Sequence, residues 1–595
     1  MKWVALACGV AFASWAAVAS QPAFTKDIAP LINDRCVMCH HAGGAAPFAL
    51  ETYADVKSHA SQIAKVTASR YMPPWKADPI DGPFVGQHPL SDLEIETIRQ
   101  WVGAGAPEGE ARSAPARRQW TEGWQLGKPD LVVTLPEAYA LQPTGTDVFR
   151  VFVMPLPVAK TRFVRGLEFR PGNARVVHHA NIRLDRTPAS RALDAADPAP
   201  GYSGLILRSA DYPEGYFLGW TPGQIAPLVP KDLAWRLDPG TDLVVEIHMQ
   251  PSGKPEAVQP SIGLYFDDAP PTRTAAMLRL GRQNIDIPAG EKLYTIRDAY
   301  TLPVDVEVLA LQPHAHNRAR DIMGEVKLPD GRSRELIHIR DWDFRWQHVY
   351  RFETPLKLSR GTTLSMRYIY DNSADNARNP ERPPKRARWG QRSSDEMGDL
   401  WIQVLTKNET DLVTLTQQFR AKVAAEDVLG YEAEIERRPE EAGLRDDAAL
   451  LYLELGRPEE AAEHFRKALA LKGSDAAAHY NLGTALTLGR HFDQAEYEYR
   501  QALRLDKSYA NAHNNLGNVL MAEGRFPDAV QQFREVVRLQ PESAVAHSNL
   551  STALANAGDY QGAVEEADAA LKLKPPEPLA TELRQRRDLY RQRRR

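Results

Sequence analysis

Cysteine is nearly absent. The chain of 595 residues holds three, and Cys8 lies in the apolar stretch that opens it, so only Cys36 and Cys39 remain beyond that stretch. Two cysteines exclude a disulfide scaffold in a chain of this size. After residue 20 no apolar run is long enough to cross a bilayer, so no membrane span is expected there. Strong charge of either sign is also lacking. A net charge of −4 gives no nucleic-acid or membrane-surface signal. The 43% hydrophobic and 25% charged residues are those of an ordinary globular protein, and the length implies several domains.

The one long apolar run is at the start. Lys2 precedes Trp3 to Ala19, which ends in Ala17-Val18-Ala19-Ser20. A basic residue, a short apolar core and small residues predict a secretory signal peptide over 1–20, and hence a periplasmic or secreted protein. Leu6-Ala7-Cys8 faintly resembles a lipoprotein box, but too few apolar residues precede it.

The remaining cysteines stand in Cys36-Val37-Met38-Cys39-His40. C-x-x-C-H is the attachment signature of haem c: two thiols add to the porphyrin vinyls and the histidine coordinates iron. A thioredoxin-like pair or half a zinc site are the alternatives, but there is no second C-x-x-C and no βαβ pattern. The flanks resemble a small class I cytochrome c over 21–112. Phe24 to Asp34 reads as a first helix, and Ser91-Asp92-Leu93-Glu94 is a capping box opening a last helix to about Val102. Met72, in the Pro-rich stretch Tyr71-Met72-Pro73-Pro74-Trp75, is the candidate distal iron ligand. Met38 is trapped in the attachment loop, and His59 and His88 compete. Ala104 to Arg118 reads as a linker.

From about Trp120 to Leu405, short β-prone runs alternate with Pro, Gly and Asp clusters, and two β-sandwiches are expected, over 119–268 and 269–408. Seven of the 16 histidines lie here. On a strand, residues i and i+2 face the same way. His314-Ala315-His316, at the end of the run Val304 to Leu311, therefore aims two imidazoles at one point. That is half a metal site, or else two solvated histidines. His178-His179 can share one metal only where the strand bends or bulges. His248 ends the run Val244 to Ile247 and, alone, reads as structural. Met397 alone reads as core. His338 and His348 read as structural too, and the aromatic run Trp342 to Trp346 as core.

Taken in order, Val177-His178-His179, Glu246-Ile247-His248, His314-Ala315-His316 and Ser394-Asp395-Glu396-Met397 resemble the type II copper monooxygenases, which include peptidylglycine α-hydroxylating monooxygenase and dopamine β-hydroxylase. The resemblance covers roughly residues 120–408. It implies two coppers per chain: an electron-relay copper on His178, His179 and His248, and a dioxygen- and substrate-binding copper on His314, His316 and Met397. The donor types suit this, because imidazole serves both copper oxidation states and a thioether favours Cu(I). Met249 and Met366 lie nearby in settings that do not match. There are departures as well. Animal members carry disulfides here, and this chain has no cysteine in the module. Gln312 stands where the peptidylglycine branch has Arg, Asp399 where it has Asn and Trp401 where it has Tyr, which argues against a glycine-extended peptide substrate.

Beyond residue 425 the chain repeats. Ala478-His479-Tyr480-Asn481-Leu482-Gly483 recurs at Ala512 and Ala546, and Ala461, Ala495, Ala529 and Ala563 follow the same interval of 34. That is the tetratricopeptide period, a helix–turn–helix per repeat. About four repeats are expected from 444 to 574, in a repeat domain over 425–595. Gly489, Gly524 and Gly558 are expected to end each first helix. His479, His513 and His547 hold equivalent positions and need no metal to explain them. Arg584 to Arg595 is a basic tail, read as a solvated capping helix.

The expected architecture is thus multidomain: an all-α cytochrome c domain, two jelly-roll-like copper sandwiches and an α-solenoid. The expected function is monooxygenation of a substrate C–H bond with O2. Electrons arrive from an external donor through haem c, and a protein or peptide partner binds the repeats. A non-catalytic copper and haem protein acting through its repeats is the second reading.

Overall fold

A computed structural model describes residues 21–593, apart from 43, 45, 79–83, 87–88, 114, 117–122, 146, 204–208, 214, 223–227, 391 and 474. The expected signal peptide, His88, part of the expected linker and the last two residues of the basic tail lie outside the described residues. The chain divides into two units. One holds 1–280, 287–386 and 391–415; the other holds 281–286, 387–390 and 416–595.

In the first unit, the N-terminal part is helical. A wide turn at Phe24–Ile28 leads into Ala29–Arg35, followed by Tyr53–Ser58, Ala60–Ala68 and Asp92–Gly103. The expected single helix is split because Pro30 has no N–H to give the preceding turn. Ile28, Ile32, Val56, Ile63, Ile98 and Trp101 form a core of their own. The expected capping box is present: Glu94 N donates to Ser91 Oγ at 3.2 Å and Ser91 N to Glu94 Oε2 at 2.7 Å. Gly105 then turns the chain at φ +84°.

The rest of this unit is β-rich, with one short helix, Ala189–Ala196. Strand Val177–Asp185 pairs antiparallel with Asp242–Met249, which pairs in turn with Val148–Pro155. A second sheet, built on Arg162–Arg170 and Ser261–Asp267, shares a core with the first: Phe169 and Leu264 pack among the same side chains as Ile182 and Val245. Further along, Val306–Ala315 lies between Gly398–Thr406 and Tyr350–Leu358. A separate sheet runs Tyr294–Thr301, Thr363–Tyr370, Ala319–Lys327, Ser333–Ile339. Pro313 is tolerated inside a strand because pairing with Tyr350–Leu358 stops at Leu311, leaving Pro313 bonded on one side only.

In the second unit, four helix pairs run from Ala442–Glu454 to Tyr560–Lys572 and are closed by Glu577–Arg593; the helix before them, Glu409–Arg437, starts at residues assigned to the first unit. Ala461, Ala495, Ala529 and Ala563 are fully buried, so the small side chains sit where helices approach closely. The glycines do the same. A Cβ on Gly483 would meet the Tyr499 ring at 2.8 Å, and one on Gly517 the Phe533 ring at 2.8 Å. Gly517→Ala is therefore expected to destabilise the array by about 1–3 kcal/mol through overpacking, read as a lower urea midpoint of the full chain. Gly524 and Gly558 end their helices with φ of +76° and +88°, but Gly489 keeps φ −74° and Arg490 takes the left-handed position at +62°. One of the three expected glycine stops is thus shifted by a residue. His479, His513 and His547 each put Nδ1 on a side chain of the paired helix: Glu498 at 2.5 Å, Gln532 at 2.8 Å and Glu566 at 2.6 Å. Hydrogen bonding within each repeat accounts for all three.

Candidate metal centre

A bulge assembles the first cluster. Val177 pairs with Met249 and His179 with His248, so His178 is the extra residue of a bulge. That is the distortion two adjacent histidines need to face one point. The ring centres of His178 and His248 are 5.2 Å apart, and those of His179 and His248 are 4.9 Å apart. Metal–imidazole bonds of about 2 Å place ring centres roughly 5 Å apart around a shared ion. His248 is held tightly. Its ring stacks on Phe149 at 4.3 Å, and its Nε2 meets Asp147 Oδ2 at 2.9 Å. Its Nδ1 is buried with no hydrogen-bond partner, which suits a nitrogen reserved for a metal.

Strand alternation assembles the second cluster. His314 and His316 share a face, with ring centres 5.3 Å apart. His314 Nδ1 meets Gln347 Oε1 at 2.5 Å and His316 Nδ1 meets the Asp395 carbonyl at 3.2 Å. Both acceptors fix the proton on Nδ1 and leave each Nε2 lone pair for a ligand. Across the ladder, His314 pairs with Asp399 and Ala315 with Gly398, where the pairing ends one residue short of His316 and of Met397. Directly opposed residues share a face. Gln312 pairs with Trp401 on that face, where Arg279 lies 4.0 Å from Asp399 and over the Trp401 ring.

Three of these imidazoles, His178, His179 and His316, are kept neutral. Burial, then the charges of His248 and His314, hold His179 well below the usual histidine value. Burial, followed by His314, pushes His316 down to about 3. Burial, then His248, lowers His178. A neutral ring is what a metal needs. Among the described residues no three His, Cys, Asp or Glu side chains stand close enough to form a closed metal site. The first cluster is a set of three imidazole rings with centres about 5 Å apart around His248.

One loop joins the two clusters, and the sequence reading treated it as plain core. The Phe344 ring centre lies 5.2 Å from His316 and 6.3 Å from both His179 and His248. Trp342 Nε1 donates to the His316 carbonyl at 3.1 Å. The same loop meets the segment Tyr71 to Trp75. Arg345, held by Asp343 at 2.6 Å, reaches the Tyr71 hydroxyl at 3.4 Å, and His348 Nε2 lies 3.2 Å from the Pro74 carbonyl. Three aromatics and His348 within seven loop residues were the available signal, as loops on a rigid sheet carry function disproportionately.

Around C-x-x-C-H, both cysteines are free thiols. Burial pushes Cys36 up to about 12 and raises Cys39, so both stay protonated. His40 Nδ1 meets the Phe48 carbonyl at 3.0 Å, leaving Nε2 for a ligand. His59 stacks on Phe48 at 3.9 Å, with Nδ1 2.9 Å from the Asp55 carbonyl. Met72 is held by its N–H to the Val66 carbonyl at 3.1 Å. The first cluster brings three imidazole rings together and the second two, while Cys36, Cys39 and His40 stand in one short turn.

Comparison with known proteins places only the C-terminal unit. A family model described as tetratricopeptide repeat matches residues 514–578, and one described as TPR repeat matches 449–488 and 491–524. The C-terminal unit is a tetratricopeptide repeat array. Among solved structures, YrrB, a TPR protein with an unusual peptide-binding site, is 24% identical. The match covers 28% of this chain and 89% of YrrB, with a TM-score of 0.26. MamA from Desulfovibrio magneticus RS-1 is 21% identical, over 26% of this chain and 90% of its own, with a TM-score of 0.24. No curated protein matches the chain. No helix among the described residues is long and apolar enough to cross a membrane.

Proposed function

We propose that the protein is an exported copper-dependent monooxygenase that hydroxylates a substrate C–H bond with O2 and draws its electrons through a covalently bound haem c. The observation that carries this is the loop Trp342 to His348. It touches both histidine clusters through Phe344, and the Tyr71-to-Trp75 segment through Arg345 and His348. Redox centres that exchange electrons need a short packed path, and this loop provides one between the C-x-x-C-H module and the two clusters.

His178, His179 and His248 would hold one copper, and His314, His316 and Met397 the other. Cys36, Cys39 and His40, with Met72 distal, would hold the haem. Copper, when bound, supplies one-electron redox chemistry and dioxygen activation; haem supplies a stored electron. The chain does the rest. Asp147, Gln347 and the Asp395 carbonyl orient the imidazoles. Phe344 excludes water between the clusters. The face carrying Gln312, Asp399 and Trp401 receives the substrate. The repeats recruit a protein or peptide partner.

Metal analysis of the purified chain is expected to give two coppers and one haem. Stopped-flow mixing of the reduced protein with O2 is expected to show haem reoxidation slowed at least tenfold in His314→Ala. Equal rates in variant and wild type would leave a haem and copper protein without the oxygenase wiring.

A further inference from the structure

In the first unit, away from the histidines, lies a cavity of about 410 Å³, within the size range of small-molecule sites. Its walls are mainly apolar and include Leu167, Phe217, Trp235, Leu309 and Phe352. Leu309 and His314 stand on the same strand, five residues apart, which at about 3.3 Å per residue is roughly 16 Å. The cavity is therefore separate from the candidate metal centre.

The charges on its wall are unequal in kind. Arg273 is paired with Asp232 at 2.8 Å, Arg165 faces Asp267 at 3.8 Å, and Glu307 faces Lys357 at 3.8 Å. Glu353 is exposed. Among the described residues no carboxylate lies within ion-pair distance of Arg351. Its backbone is fixed: the carbonyl accepts from Val85 N at 2.7 Å, and the residue pairs with Ala310 in the sheet. Burial alone pushes its pKa down to about 10, with no neighbouring acid to offset it. A guanidinium held in an apolar wall without a counterion gains strongly from an anion that enters, since it binds carboxylates through a rigid two-pronged fork.

We propose that this cavity binds an anionic ligand with a mainly apolar body, a medium-chain monocarboxylate, whose head group pairs with Arg351 and whose tail lies against Leu309, Phe217 and Trp235. Titration calorimetry of the full chain as purified, with decanoate and with decanol, tests it. Saturable binding of one decanoate per chain is expected, with decanol at least tenfold weaker. Arg351→Gln is expected to weaken decanoate at least tenfold, and Leu309→Trp, which fills the cavity, to abolish its binding. Decanol binding as tightly as decanoate, no saturable binding of decanoate, or undiminished binding by Leu309→Trp would each overturn the assignment. The comparison of the two ligands on the wild type decides the matter even if Arg351→Gln fails to fold. Neither ligand requires copper or haem.

Discussion

His248→Ala is expected to reduce bound copper from two ions per chain to one. His178 and His179 are neighbours on a bulge, with His248 on the facing strand; on the proposed reading they would supply two nitrogens and His248 the third. It is also the best-positioned of the three. Phe149 stacks on its ring, Asp147 holds Nε2, and Nδ1 is buried with nothing to bond. A chain that spends a buried, unpartnered nitrogen gains nothing from it in folding, since an orphaned polar atom costs about 1–3 kcal/mol. Two imidazoles without the third should lose the ion under mild chelation. Asp147→Asn should keep the ion but weaken it about 10–100-fold, as outer partners of ligating histidines do. Competition with a chelator, followed by copper spectroscopy of the retained ion, separates the two variants. Retention of both ions by His248→Ala at unchanged affinity would sink the assignment of the first cluster.

How far the sequence led differs between regions, for physical reasons. A 34-residue repeat is a periodic signal summed over many residues, so the helix pairs were visible in advance. Only a local detail moved, the left-handed position passing from Gly489 to Arg490. The His314-Ala315-His316 pair was legible because strand alternation depends on nothing but spacing. His178-His179 was legible only as a condition, because a bulge is set by the partner strand and leaves no mark in the strand that carries it. The contacts of Phe344, Gln347 and Asp147 with the clusters were not legible, though the aromatic density of the loop carrying the first two was. These residues reach the clusters from loops and neighbouring strands, and only tertiary packing brings them there. The aromatic stretch around Phe344 looks the same in sequence whether it fills a core or bridges two sets of imidazoles.

Glu396→Ala is expected to cost the most in stability, and its effect should concentrate at the second cluster. Glu396 is fully buried and accepts three backbone N–H groups: His316 at 2.5 Å, Arg318 at 2.9 Å and Met397 at 3.1 Å. It thus ties the strand carrying His314 and His316 to the segment carrying Met397. Burial pushes its carboxyl up to about 7, against those donors and the Arg318 charge, which pull it down. Arg318 is itself buried, its guanidinium bonded to Asn372 Oδ1 and the Ser394 carbonyl. Alanine would leave three buried backbone donors without an acceptor. Unpaired buried donors cost about 1–3 kcal/mol each, so a loss of several kcal/mol, about 3–5, is expected after the site relaxes. Glu396→Gln keeps an acceptor in place and should recover part of it. Urea unfolding of the full chain, followed by tryptophan fluorescence, reads the loss. Copper retained at His314 and His316 reads whether those ligands stay in position. An unfolding midpoint for Glu396→Ala equal to that of the wild type would show that this carboxylate does not hold His316 and Met397 together.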